Sequence, residues 1–274
     1  MLNYLVTLLV AAVVFACNQK PAASNKATDA PSEKWQQVWN DEFDYTGLPD
    51  STKWDYDVGG HGWGNHERQY YTKADTHNVR VHDGSLFITA HKEKRDSNTW
   101  TSARLITKKK GDWRYGKILV RAKLPDGKGM WPAIWMLPTD WEYGGWPASG
   151  EIDIMENVGY MPDSVFCSVH TQSFNHSIHT QKTKGISLPD NRTQFHEYGI
   201  EWNAKEIIFL TDGKPVFSFQ NTGKGSAEWP FDKRFHLLLN IAFGGDWGGS
   251  RGIDETLTQG TMEVDYVRVY QLGE

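Results

Sequence analysis

Apolar and polar positions divide this chain into three stretches. Leu5–Ala16 (LVTLLVAAVVFA) is a run of twelve residues, apolar but for Thr7, that ends at Cys17. A membrane-crossing helix needs about 20 such residues and the core of an export signal about 7–15, so residues 1–17 are expected to form a signal peptide. Residues 18–34 (NQKPAASNKATDAPSEK) carry no large apolar side chain. A segment of that kind cannot bury enough surface to order itself and reads as a flexible tether. From Trp35 onward a period of two dominates. It predicts strands at Leu86–Ala90, Lys117–Leu124, Glu151–Glu156, Val165–Thr171, Tyr198–Trp202, Glu206–Leu210, Val216–Phe219, Leu237–Ile241 and Val264–Tyr270. Asp83-Gly84 and Asp212-Gly213 have the composition of tight hairpin turns. Beyond the leader, no segment keeps an apolar i, i+3, i+4, i+7 pattern for three turns. Many short strands with Gly-rich turns predict an antiparallel sandwich or barrel. No composition break or internal repeat interrupts it, so residues 35–274 read as one all-β domain.

Composition narrows the function. The chain has 274 residues with 29 Lys+Arg against 34 Asp+Glu, a net charge of −5. A nucleic-acid partner, which calls for a basic stripe, is not expected. Thirteen Trp, eleven Tyr and twelve Phe are more rings than a core needs, because each buried indole N–H wants a partner. A concave surface for flat, hydroxylated ligands would use them. The two cysteines, Cys17 and Cys167, exclude a disulfide-dense scaffold. Val14-Phe15-Ala16-Cys17 is similar to a bacterial lipoprotein cleavage box, which implies an exported chain held to a membrane only through a lipid on Cys17, at the cell surface or in the periplasm. The alternative is an ordinary signal peptide with an incidental cysteine and a secreted product. Cys167 then has no partner and reads as a small core residue.

The segment Trp146–Gly159 (WPASGEIDIMENVG) carries the chemistry. Alternation puts Glu151 and Asp153 on one face of a strand and Ile152 and Ile154 on the other. Continued strictly, it would bury Glu156, and a lone buried carboxylate is costly. A one-residue bulge near Met155 would return Glu156 to the acidic face. Glycosidic bond cleavage requires two carboxyl groups, one ionised and one holding a proton for the leaving oxygen. Crowded acids resist joint ionisation, which separates those states. Acid–apolar alternation also describes any sheet with one wet face. Trp131 and Trp135, four apart, and Trp146, five before Glu151, favour a sugar cleft over that reading, although each could also fill a core.

These residues resemble glycoside hydrolase family 16. GEIDIMENVG is similar to its catalytic signature in the bulged, laminarinase-type form. WNDEFDYTG (39–47), GWGNHERQYYT (62–72), NVRVHDGSLFITAHKE (78–93), TSARLITKKK (101–110) and YGKILVRAKLPDGKGMWPAIWMLP (115–138) follow in family order. FHEYGIEWNAKEIIFLTDGKPV (195–216), NIAFGGDWGG (240–249) and MEVDYVRVYQ (262–271) complete the series. Ser149 stands where many laminarinases have Cys, and His66 where Asn is common. The resemblance implies a concanavalin-like jelly roll with a concave substrate cleft, acting as a monomer on laminarin-type β-glucan. It implies retaining endo-hydrolysis of β-1,3-glucosidic bonds, with Glu151 as nucleophile, Glu156 as acid/base and Asp153 between them, and no cofactor for catalysis. Asn65, Arg104, Trp131, Trp135, Trp146 and His170 match substrate-binding positions. Glu42, Gly84 and Asp265 match a structural calcium site held partly through backbone oxygens. Mixed-linkage β-1,3-1,4-glucan, another polysaccharide, or a non-catalytic glucan-binding module are the alternatives the same fold allows.

Overall fold

The period-two pattern is realised as two packed antiparallel sheets. The computed structural model describes residues 1–2 and 34–273, so the expected export signal, Cys17 and the tether up to Glu33 lie outside the described residues. Lys34–Glu274 forms one compact unit, and none of its helices is long and apolar enough to cross a membrane. The cleft-bearing sheet runs Lys182–Ser187, Ser164–His170, Glu151–Glu156, Met130–Pro138, Phe235–Phe243, Arg104–Ile106 and Asp55–Asp57, with Asp112–Trp113 beside Phe235–Phe243. The outer sheet runs Lys214–Gln220, Glu206–Thr211, His196–Trp202, Gly116–Lys123, Gln259–Leu272, Ser85–His91, Trp100–Ser102 and Gln69–Tyr71. Trp35–Asp41 joins it on Gln259–Leu272, and Val79–His82 joins it on Ser85–His91. Every pairing is antiparallel except that of Gln69–Tyr71 with Trp100–Ser102. This is the jelly-roll sandwich that the family resemblance implied.

The core lies where the inward positions of the two sheets meet. Leu86, Ile88 and Ala90, Ile118, Val120 and Ala122, and Val165, Cys167 and Val169 are all buried there. Cys167 is a free thiol that fills space, as expected. The solvent face of the outer sheet is a polar ladder. Lys117 pairs with Glu201 at 3.0 Å, Lys123 with Glu263 at 2.6 Å and Arg121 with Asp265. Both expected hairpin turns hold their two central residues at positive φ, 51° and 76° at Asp83-Gly84 and 49° and 71° at Asp212-Gly213. Such turns match the twist of the flanking strands.

Candidate active site

The carboxylate strand departs from simple alternation where a bulge was expected. Trp135 pairs with Asp153 and the adjacent Ile134 with Met155, so Ile154 is the extra residue on the Glu151–Glu156 strand. On its other side Asp153 faces Ser168 and Glu156 faces Phe166, again with one residue in excess. Ile154 and Met155 both enter the core. Glu151, Asp153 and Glu156 are thereby left on the cleft face. Gly150 sets the entry to this strand at φ +87°, and a Cβ there would lie 2.7 Å from Pro230 and 2.9 Å from Phe231. Only glycine suits both the backbone and the space.

Around the acids lies a cleft of about 350 Å³. Trp131 and Trp135 share its wall, as their spacing of four predicted, and Trp146, Asn65 and Arg104 line it too. His170 does not line it. It is buried behind the acids, with Nε2 3.2 Å from Asp153 and 3.9 Å from Glu151. His170 thus stands directly against the carboxylates. The Arg104 guanidinium lies between the Trp63 and Trp135 rings, 4.7 and 4.6 Å from their centroids, with Nε 3.0 Å from Asp57. Held on both faces, it enters the cleft with little rotamer freedom left to lose.

Several lining residues escaped the sequence reading. Glu67 is a fourth carboxylate on the wall. It accepts from Asn65 Nδ2 (3.2 Å), Gln69 Nε2 (2.6 Å) and Tyr71 Oη (3.4 Å). Burial raises its pKa against those hydrogen bonds and the nearby Arg104 charge. Tyr71 Oη in turn accepts from Asn240 Nδ2 (2.9 Å), and Asn240 Oδ1 accepts from Trp135 Nε1 (2.7 Å). A chain of polar links thus crosses the cleft floor from Glu67 to Trp135. Its sequence signal is faint. Glu67, Gln69 and Tyr71 sit at i, i+2 and i+4, the spacing of one face of an extended segment.

The acids repel one another in a dry setting. Burial, then the neighbouring Asp153 charge, pushes Glu151 up to about 8. Burial pushes Glu156 up to about 7 against the Trp131 hydrogen bond, and Asp153 lies well above the usual range through burial and the Glu156 charge. The cluster therefore holds protons at neutral pH. Burial, then the Glu156 charge, favours the protonated form of Asp153. Once Asp153 is neutral, the repulsion raising Glu151 disappears. His170 and the Trp146 N–H then favour negative charge on Glu151.

The calcium positions expected at Glu42, Gly84 and Asp265 have carboxylates that are already paired. Both Glu42 oxygens accept from Arg268, at 2.9 and 2.7 Å, and Asp265 pairs with Arg121. With both carboxylates neutralised by guanidinium groups, the side chains as arranged do not suit a hard cation that takes six to eight oxygens. Of the two departures from the family pattern, Ser149 Oγ accepts from the Tyr143 amide (3.1 Å) and donates to Gly144 O (2.5 Å), pinning the loop that carries Trp146. His66 reaches across to Asp246 at 2.9 Å on the exposed rim.

Comparison with known proteins gives a consistent picture. The family model described as glycosyl hydrolases family 16 matches residues 66–268. A β-glucanase of Rhodothermus marinus is 48% identical over 98% of this chain and 95% of its own. The X-ray structure of the laminarinase from Rhodothermus marinus superposes with a TM-score of 0.86 and 50% identity, covering 89% of this chain and all of that one. The crystal structure of SCLam, described as a non-specific endo-β-1,3(4)-glucanase, gives a TM-score of 0.84 and 45% identity over 89% of this chain and 93% of its own.

Proposed function

The chain belongs to glycosyl hydrolases family 16, and from that membership we propose that it is a retaining endo-hydrolase of β-1,3-glucosidic bonds in laminarin-type β-glucans. That it is a glycoside hydrolase follows from the family and from its relatives. The observation that carries the rest is the bulged strand, which sets three carboxyl groups against a cleft walled by indoles.

In this reading Glu151 attacks the anomeric carbon while the Glu156 carboxylic acid gives its proton to the departing glycosidic oxygen. The C–O bond to the leaving sugar breaks as the bond to Glu151 forms. Glu156, now a carboxylate, takes a proton from water, whose oxygen displaces Glu151 and regenerates the enzyme with the anomeric configuration retained. Asp153 keeps its proton throughout, donates to Glu151 and lowers the charge density of the cluster. Trp131 and Trp135 present ring faces on which sugar C–H groups stack, and Arg104 and Asn65 meet hydroxyls.

The test is product analysis on laminarin, with NMR of the first-formed anomer. A β-anomer and internal cleavage are expected, with no activity in a folded Glu151→Gln variant. An inverted product removes the nucleophile role from Glu151. The likeness to a non-specific endo-β-1,3(4)-glucanase supports mixed-linkage glucan as a second substrate, and a parallel assay on lichenan decides it. We also propose export and lipid attachment at Cys17, which mass spectrometry of the mature amino terminus checks.

A further inference from the structure

Each of the two outer carboxylates of the cluster accepts one indole N–H. Trp146 Nε1 donates to Glu151 Oε2 at 2.8 Å, and Trp131 Nε1 donates to Glu156 Oε1 at 3.0 Å. The third indole on this wall, Trp135, donates to an amide instead. The two donors are held differently. Trp131 stands on the Met130–Pro138 strand, with the Trp247 ring edge-on at 5.5 Å. Trp146 is 37% exposed on a loop, its ring tilted against His176 at 4.8 Å, and the Ser149 hydroxyl braces the loop from within.

A sugar stacks on the face of an indole, whereas these contacts use the edge. The two uses are compatible, but only the edge touches the reacting groups. A donor on one carboxylate oxygen stabilises the anion and leaves the other oxygen to react. On a carboxylic acid the carbonyl oxygen accepts a hydrogen bond better than the hydroxyl oxygen, so the oxygen that takes the N–H is the poorer place for the proton. Glu156 therefore carries its proton on Oε2.

Resting on the nucleophile and acid/base assignments above, we propose that Trp146 and Trp131 are a matched pair of positioning residues: the Trp146 indole keeps Glu151 ionised and selects its attacking oxygen, and the Trp131 indole selects the oxygen from which Glu156 delivers its proton. Each acts through its carboxylate, so the two should leave separate marks on the pH dependence.

The experiment uses Trp146→Phe and Trp131→Phe, which keep a ring and remove the donor. Rates on laminarin are measured across pH, together with inactivation by a 2-deoxy-2-fluoro-β-glucoside that accumulates the glycosyl-enzyme. Loss of a charge-assisted hydrogen bond predicts a fall in kcat of about 10- to 100-fold. In Trp146→Phe, glycosyl-enzyme formation slows and the acid limb of the profile moves to higher pH. In Trp131→Phe the basic limb moves to higher pH and the acid limb stays. In both, KM changes less than kcat. Variants that raise KM and leave both limbs in place overturn the proposal and make the rings stacking surfaces only. Should a variant fail to fold, wild-type protein carrying 15N-tryptophan decides. Two indole resonances must follow the titration of the cluster, and none doing so overturns the proposal. A Glu151→Gln or Glu156→Gln enzyme with full activity would defeat the underlying assignment. An inactive Glu151→Gln beside an unshifted Trp146→Phe defeats this inference alone.

Discussion

Crowding three carboxyl groups on a dry strand should make the folded protein pay in stability as pH rises, and Glu151→Gln measures the cost. Glu151 is raised from an ordinary 4.5 to about 8, and its side chain is 16% exposed. A group raised in the folded state contributes stability that is complete below the unfolded value and lost as pH climbs through the folded one. The loss therefore falls between about pH 4.5 and 8. Taken alone, the shift corresponds to about 5 kcal/mol. Asp153 retains a proton and relieves part of the repulsion, which brings the expected figure to about 1–3 kcal/mol. Glutamine keeps an acceptor for the Trp146 N–H and has no charge to desolvate. Wild type and variant should unfold alike near pH 4 in urea or on heating. At pH 9 the variant should be the more stable, with roughly 2–4 °C in Tm for each kcal/mol at this size. A gap that does not change between those pH values, or a wild type more stable at pH 9, refutes the reasoning.

Two further predictions concern what holds the site. Gly150→Ala places a Cβ 2.7 Å from Pro230 at a left-handed backbone position, and should cost about 2–4 kcal/mol of stability and most of the activity; thermal unfolding and a laminarin assay check it. Tyr71→Phe removes the hydroxyl that links Glu67 to Asn240. Two buried polar groups then lose a partner, with an expected cost of about 1–3 kcal/mol by chemical denaturation.

The bulge was legible because the alternative was physically expensive. In EIDIME, strict alternation drives Glu156 into the core, and only an inserted residue keeps it on the cleft face. Strands with β-branched alternation, such as Lys117–Leu124 and Val165–Thr171, were readable, with ends within a residue or so of those found. Met130–Pro138 was legible only as an extended stretch with Trp131 and Trp135 on one face, because prolines at 132 and 138 are unusual in a strand at the centre of a sheet. Of Phe235–Phe243, only Leu237–Ile241 was visible, because a strand buried along its whole length shows no alternation. Lys182–Ser187 is an exposed edge with one large apolar residue, Ile186, and gives no signal of its own. The acids proposed as catalytic lay in one short motif and could be read directly. Glu67, Tyr71, Trp63 and Asn240 reach the cleft from distant segments, and nothing in their local pattern assigns them to a common wall. His170 was found too, and strand pairing with Glu151 sets it beside the acids.

The polar chain on the cleft floor begins in the outer layer, at Gln69 and Tyr71, and ends in the sugar-facing one, at Asn240 and Trp135. The sandwich is therefore not a passive support with a tool mounted on one side. A substitution under the Gln69–Tyr71 strand, in the outer sheet, can reorient the Trp135 ring on the cleft wall. Anyone re-engineering this groove for another polysaccharide has to choose residues from both leaves of the fold together.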